Sequence, residues 1–220
     1  MGPSLQNSSR VAPIPVAGRQ AGLAGLTLRR VVAFAGPFGS GKTEIAINLA
    51  SALAAKGARV SLADLDVVNP YFRSREAREV LERRGVRLFA PPPEMGFADL
   101  PVLAPGVAAL ISGEDPAILD VGGDAPGARV IGVFSCILRN VQHDVLFVVN
   151  ASRPYAHTAG AAHLALRAWE EISGTRVTGI VANAHFLEET SRATVLHGLD
   201  VARETAQLAG LEVAFAGVTA

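Results

Sequence analysis

The stretch Gly36-Pro37-Phe38-Gly39-Ser40-Gly41-Lys42-Thr43 constrains this chain more than any other. It reads G-x-x-x-x-G-K-T, the spacing of a phosphate-binding loop. Glycines let main-chain N–H groups turn inward around a phosphate where side chains would collide. Lys42 brings a point charge to the β- and γ-phosphates, and Thr43 offers a hydroxyl to Mg²⁺. Such a loop works only between a strand and a helix, and both are written around it. Val31 to Ala35 is a short apolar run suited to a buried strand. Glu44 to Lys56 is rich in helix formers at helical spacing and stops at Gly57. That helix would aim the positive end of its dipole at the loop. Gly36, Phe38, Gly39, Ser40, Gly41, Lys42, Thr43 and Glu44 are therefore expected around the tail of a bound nucleotide.

Further along, short apolar runs alternate with helical patterns. Strands are expected at residues 59–63, 86–89, 117–124 (ending in acid and glycines), 144–150, 176–183 and 211–218, and helices at 70–85, 102–111, 129–140, 158–172 and from 188 or 190 to 209. The helix at 102–111 is expected to be interrupted near Pro105, and the prolines at 91–93 mark a loop over 90–101. Strands that are apolar throughout imply a mainly parallel sheet covered on both faces, hence a three-layer α/β/α P-loop NTPase fold. Residues 1–28, rich in Gly, Pro, Ala and Ser, read as a flexible N-terminal extension, and residues 29–220 as one nucleotide-binding domain.

Ligands in such sheets meet the carboxyl ends of the strands, and the acids collect there. Asp120 ends the run Ile118-Leu119 and precedes Val121-Gly122-Gly123, the pattern of an acid that holds Mg²⁺ beside glycines able to approach a γ-phosphate. Asp64 and Asp66 follow the second strand two residues apart, on one side if strand geometry persists. Asp64 is expected to join Thr43 and Asp120 at the metal, and Asp66 to position the attacking water, with Lys42 stabilising the transferring phosphoryl group. Asn183 closes another strand and is able to bond a base edge.

Composition excludes several classes. Lys plus Arg and Asp plus Glu are 20 each, so no net charge favours nucleic acid or an anionic membrane surface. No apolar run reaches the ~20 residues of a membrane span, and no continuous apolar segment suggests secretion. The single cysteine, Cys136, excludes an internal disulfide, fits a reducing, cytoplasmic setting, and is expected to be buried. The five histidines show no metal-ligand spacing.

The order P-loop, Asp64-Leu65-Asp66, Asp120-Val121-Gly122-Gly123 and Asn183 resembles the CobQ/CobB/MinD/ParA nucleotide-binding superfamily. The stretches DLDVVNPYFRSREAR and LDVGGD resemble a prokaryotic branch of ATP-binding proteins within it, and the likeness runs from about residue 30 to about residue 218. The resemblance implies ATP and Mg²⁺ as cofactors, and a protein partner or homodimer. Members of the MinD and ParA type carry a second lysine just after the first loop glycine; Pro37 stands there in this chain. The cysteine pairs of iron–sulfur carriers and the basic C-terminal helix of membrane-bound members have no counterpart. Three functions are expected to compete: a slow ATPase acting as a nucleotide-dependent switch, a nucleotide sensor without turnover, and a small-molecule kinase or ATP-dependent ligase.

Overall fold

The computed structural model describes residues 11–12, 26–66, 78–90, 100–185 and 189–218. Its strands are β1 (Val11–Ala12), β2 (Val31–Ala35), β3 (Val60–Leu65), β4 (Val86–Phe89), β5 (Ala117–Val121), β6 (His143–Val149), β7 (Gly179–Ala182) and β8 (Val213–Gly217). They form one sheet in the order β1-β8-β7-β6-β2-β5-β3-β4. Every neighbouring pair is parallel except β1 with β8. The helices are α1 (Lys42–Ala54), α2 (Arg78–Arg83), α3 (Leu100–Ser112), α4 (Ala125–Val133), α5 (Ser135–Leu138), α6 (Ala159–Ser173) and α7 (Arg192–Ala209).

Period-two alternation along β2 explains the three layers. Val31, Ala33 and Ala35 belong to a core shared with α4, α6 and α7, whereas Val32 and Phe34 face a second core with Ile45, Leu49 and Leu81. All five β2 residues are buried, as a strand covered on both faces requires. The Phe34 ring meets Phe215 edge-on, 6.5 Å between centroids at 87°. Phe34 is fully buried, so Phe34→Ala is expected to cost about 3–5 kcal/mol, read as a lowered denaturant midpoint at unchanged slope.

Strand order creates the site. The chain leaves β2 through α1 and re-enters at β3, leaving a gap that β5 fills; it then leaves β5 and re-enters at β6, on the other side of β2. Departures to opposite sides of β2 and β5 open a crevice at their carboxyl ends.

Several local expectations shift. The helix expected at 129–140 starts at Ala125 instead, because Asp124 caps it by accepting from the Gly127 N–H at 2.9 Å, and it ends at Phe134, whose φ of −93° and ψ of 1° leave the helical basin. α3 runs through Pro105 without interruption. The missing N–H at this mid-helix position frees the Pro101 carbonyl, and burial of Val107, Leu110 and Ile111 outweighs that loss. Cys136 is exposed, since α5 turns Leu138 rather than Cys136 into the core. Within the segment read as an extension, Val11 and Ala12 pair with β8, and Leu26 packs in the core beside α1. Most of the helix expected at 70–85 and the loop at 90–101 lies outside the described residues; α2 and Ala90 are the described parts.

Candidate functional site

The P-loop joins β2 to α1 at the crevice. Gly36, Gly39 and Gly41 have φ of 135°, 73° and 91°, backbone that side-chain-bearing residues rarely adopt. A Cβ at Gly36 would sit 2.7 Å from the Val148 carbonyl oxygen, and one at Gly41 would collide with the Asn183 amide. Gly41→Ala is therefore expected to lower nucleotide affinity at least tenfold in a fluorescent-nucleotide titration, with a smaller loss of thermal stability.

Lys42 begins α1 and is 7% exposed. Its Nζ donates to the Pro37 carbonyl at 3.0 Å, so the ammonium is folded back across the loop. Burial pulls its pKa down, opposed by the charges of Asp120, Asp66 and Asp124. The Ser40 hydroxyl, in the same loop, is buried without a hydrogen-bond partner. A buried orphan hydroxyl in a ring of inward-turned backbone is what a phosphate oxygen would satisfy.

The acids face this loop from the next strands. Asp64 and Asp120 are direct neighbours in the β3–β5 register, and both are buried. The Thr43 hydroxyl stands close enough to Asp120 to favour its ionised form. Burial lifts the Asp120 pKa to about 7; the nearby Asp64 charge adds to the rise, and Thr43 and Lys42 oppose it. Asp66 lies just past β3, and its backbone N–H donates to the Asp64 carboxylate at 3.1 Å. One face thus holds a hydroxyl, two buried carboxylates and a third acid. Mg²⁺ keeps several waters and takes one or two protein carboxylates alongside phosphate oxygens. Thr43, Asp64 and Asp120 fit that demand. Among the described residues no group of three His, Cys, Asp or Glu is placed to cage a metal by itself.

Gly122 and Gly123 close the far side. A Cβ at Gly123 would stand 2.6 Å from the Phe38 nitrogen and 2.8 Å from Lys42 Nζ, so the loop after β5 touches the P-loop only because it is bare. Glu44 lies in the first turn of α1, where its carboxylate accepts from Asn48 at 3.3 Å. Phe38 is 59% exposed at the tip of the loop.

Asn183, read as a base contact, is buried and donates Nδ2 to the Ser40 carbonyl at 2.7 Å. It braces the P-loop from the end of β7. One contributor escaped the sequence reading. Arg153, past β6, donates Nε to the Gly39 carbonyl at 3.1 Å and lies along the loop tip. The signal was an Arg-Pro pair just beyond an apolar strand end. Asp124 serves as the α4 cap and so anchors the glycine loop.

The family model for the CobQ/CobB/MinD/ParA nucleotide binding domain matches residues 31–193. No curated protein matches the chain. Among solved structures, the cell division protein FtsY of Thermotoga maritima superposes with a TM-score of 0.57 at 20% identity, over 97% of this chain and 65% of that one. Chloroplast FtsY of Physcomitrella patens gives 0.56 at 19%, over 87% and 59%. The signal recognition particle 54 kDa protein of Aeropyrum pernix, in complex with GDP, gives 0.56 at 18%, over 87% and 42%. At such identities the likeness is one of fold, and this chain spans less than two thirds of each of those chains. No helix among the described residues is long and apolar enough to cross a membrane.

Proposed function

The chain belongs to the CobQ/CobB/MinD/ParA nucleotide-binding domain family, and from that premise we propose that it is a Mg²⁺-dependent ATP-binding protein, a slow ATPase that works as a nucleotide-dependent switch. The observation that carries the reading is the strand register that sets buried Asp120 beside buried Asp64 facing the P-loop, with an orphan Ser40 hydroxyl in the cradle. Bound Mg²⁺ would neutralise phosphate charge and fix the geometry of the tail.

The chain's own residues do the rest. Backbone N–H groups of the P-loop up to Lys42, Pro37 excepted, hold the polyphosphate, and Lys42 leaves the Pro37 carbonyl to reach it. Asp66 orients water from the β3 end. Gly123, in contact with Phe38 and Lys42, conveys the presence of a γ-phosphate to α4 through the Asp124 cap. A protein partner or a second copy of the chain would read that change. Adenine is the proposed base, because the residues after Asn183 are Ala184-His185-Phe186, with no Asn-Lys-x-Asp guanine reader. Pro37 in place of a second lysine favours low turnover, and in the limit a sensor that binds without hydrolysis.

Phosphate release tests this. Purified protein is expected to release phosphate slowly from ATP with Mg²⁺, several-fold faster than from GTP, and not at all with EDTA. Tight ATP binding without phosphate release would leave the sensor; equal use of GTP would overturn the adenine assignment.

A further inference from the structure

Two side chains hold the P-loop from behind, by its carbonyls. Arg153 Nε donates to the Gly39 carbonyl at 3.1 Å, and Asn183 Nδ2 donates to the Ser40 carbonyl at 2.7 Å. Both stand on a shared support. Buried Asn150, just past β6, accepts from the Ser152 N–H at its side chain and from the Arg153 N–H at its carbonyl, each at 3.0 Å. Pro154 follows and confines Arg153 to extended backbone, with φ of −109° and ψ of 142°, so this turn delivers the guanidinium to the loop. Asn150 Nδ2 reaches the His185 carbonyl at 3.3 Å, and the Asn183 N–H bonds the Val149 carbonyl at 2.8 Å, which ties the ends of β6 and β7 together. Bare glycines admit the two braces. A Cβ at Gly39 would lie 3.5 Å from Arg153 Nε, one at Gly41 would collide with Asn183 Nδ2, and one at Gly217 would lie 2.7 Å from Asn183 Oδ1.

We propose that Arg153 and Asn183 are positioning residues for the polyphosphate, each acting through the P-loop by fixing one of two consecutive peptide planes from its carbonyl side. In a trans peptide the C=O and the following N–H point in opposite directions. Arg153 on the Gly39 carbonyl therefore aims the Ser40 N–H away from itself and into the loop, where it meets the Pro37 carbonyl at 3.2 Å. Asn183 on the Ser40 carbonyl aims the Gly41 N–H away from the end of β7 in the same manner. Gly39 and Gly41, with φ of 73° and 91°, are permissive residues, so the peptides between them need an outside hold. Donors fixed before an anion arrives cost no reorganisation when it binds. The Arg153 charge adds to this, because a cation on a carbonyl polarises the peptide and strengthens its N–H as a donor. Asn183, its Nδ2 on the loop and its Oδ1 against Gly217, thus acts on the phosphates rather than on the base. The proposal rests on the nucleotide reading above.

The probe is tripolyphosphate with Mg²⁺, which carries no base, titrated calorimetrically into the full chain beside ATP with Mg²⁺. Arg153→Met keeps an apolar stem without the charge and is expected to weaken both ligands about tenfold, with most of the loss recovered in Arg153→Lys. Asn183→Ala is expected to weaken both ligands about tenfold and by the same factor. Arg153 is only partly buried, so Arg153→Met should keep the parent's thermal midpoint and carries the test should Asn183→Ala not fold. Nitrogen-15 amide spectra of the ligand-free protein supply a signature that lost stability alone would not give. Arg153→Met should shift the Ser40 amide, and Asn183→Ala the Gly41 amide, more than any other amide of the P-loop. Arg153→Met protein that binds tripolyphosphate as the parent does would overturn the role of Arg153. Asn183→Ala protein that loses ATP but keeps tripolyphosphate would return Asn183 to the base edge. Spectra in which neither amide moves would overturn the fixing of the two peptides. Parent protein that binds neither ligand would overturn the nucleotide reading instead, and the amide signatures would still decide whether the two side chains fix the loop.

Discussion

Lys42→Ala is expected to lower affinity for ATP with Mg²⁺ about a hundredfold or more and to abolish phosphate release. Removing one partner of a buried charge-assisted contact costs roughly 2–5 kcal/mol, and each ~1.4 kcal/mol is a factor of ten. The effect should exceed that of removing any exposed arginine, since Lys42 is buried and three acids act on it, Asp120, Asp66 and Asp124. The same substitution should leave the nucleotide-free protein at least as stable at neutral pH, because the cost of burying the ammonium outweighs its attraction to those acids. Equilibrium titration with a fluorescent ATP analogue checks the first effect and thermal unfolding the second. Lys42→Ala protein that binds and hydrolyses like the parent would remove the lysine from the site altogether.

Asp120→Asn should have the opposite signs on stability and function. In the folded, metal-free protein Asp120 keeps its proton up to about pH 7, whereas the ordinary value is 3.8. A pKa raised by folding contributes stability that is complete below the unfolded value and is lost as pH rises through the folded one. Metal-free protein is therefore expected to lose stability between about pH 4 and pH 7. At ~1.4 kcal/mol per unit the loss is of the order of 4 kcal/mol. Asparagine keeps an acceptor for the Thr43 hydroxyl and carries no charge, so the variant should be more stable than the parent at pH 8 and should show a flatter pH profile. It should also lose Mg²⁺-dependent phosphate release by about a hundredfold, since the metal loses a buried carboxylate. Unfolding curves from pH 5 to pH 8 with EDTA, paired with phosphate release, measure both. A parent protein whose stability is flat over that range would show that Asp120 is ionised throughout.

Much of the fold was legible because strand and helix signals were local and strong. Val31 to Ala35 and Val86 to Phe89 were read at their observed limits, since apolar runs there meet glycines or prolines abruptly. The P-loop was legible because only glycine tolerates its φ values. Strand order was not: that β5 lies between β2 and β3, bringing Asp120 against Asp64, depends on crossovers no local pattern encodes. Cys136 was misread for a related reason. Its stretch is apolar in sequence, but the break at Phe134 rotates α5 and leaves the thiol outside. Asn183 and Arg153 touch P-loop carbonyls at 2.7 and 3.1 Å across more than a hundred residues of chain, a long-range pairing that residue type alone does not reveal.

In the nucleotide-free protein Lys42 Nζ rests on the Pro37 carbonyl, and Thr43 stands near Asp120. The most direct test is a crystal structure with a non-hydrolysable ATP analogue and Mg²⁺. Lys42 should have moved from Pro37 to the β- and γ-phosphates, with Thr43 on a metal that Asp120 and Asp64 flank. A structure in which the analogue lies elsewhere, with Lys42 still on Pro37 and Thr43 still beside Asp120, would contradict the assignment.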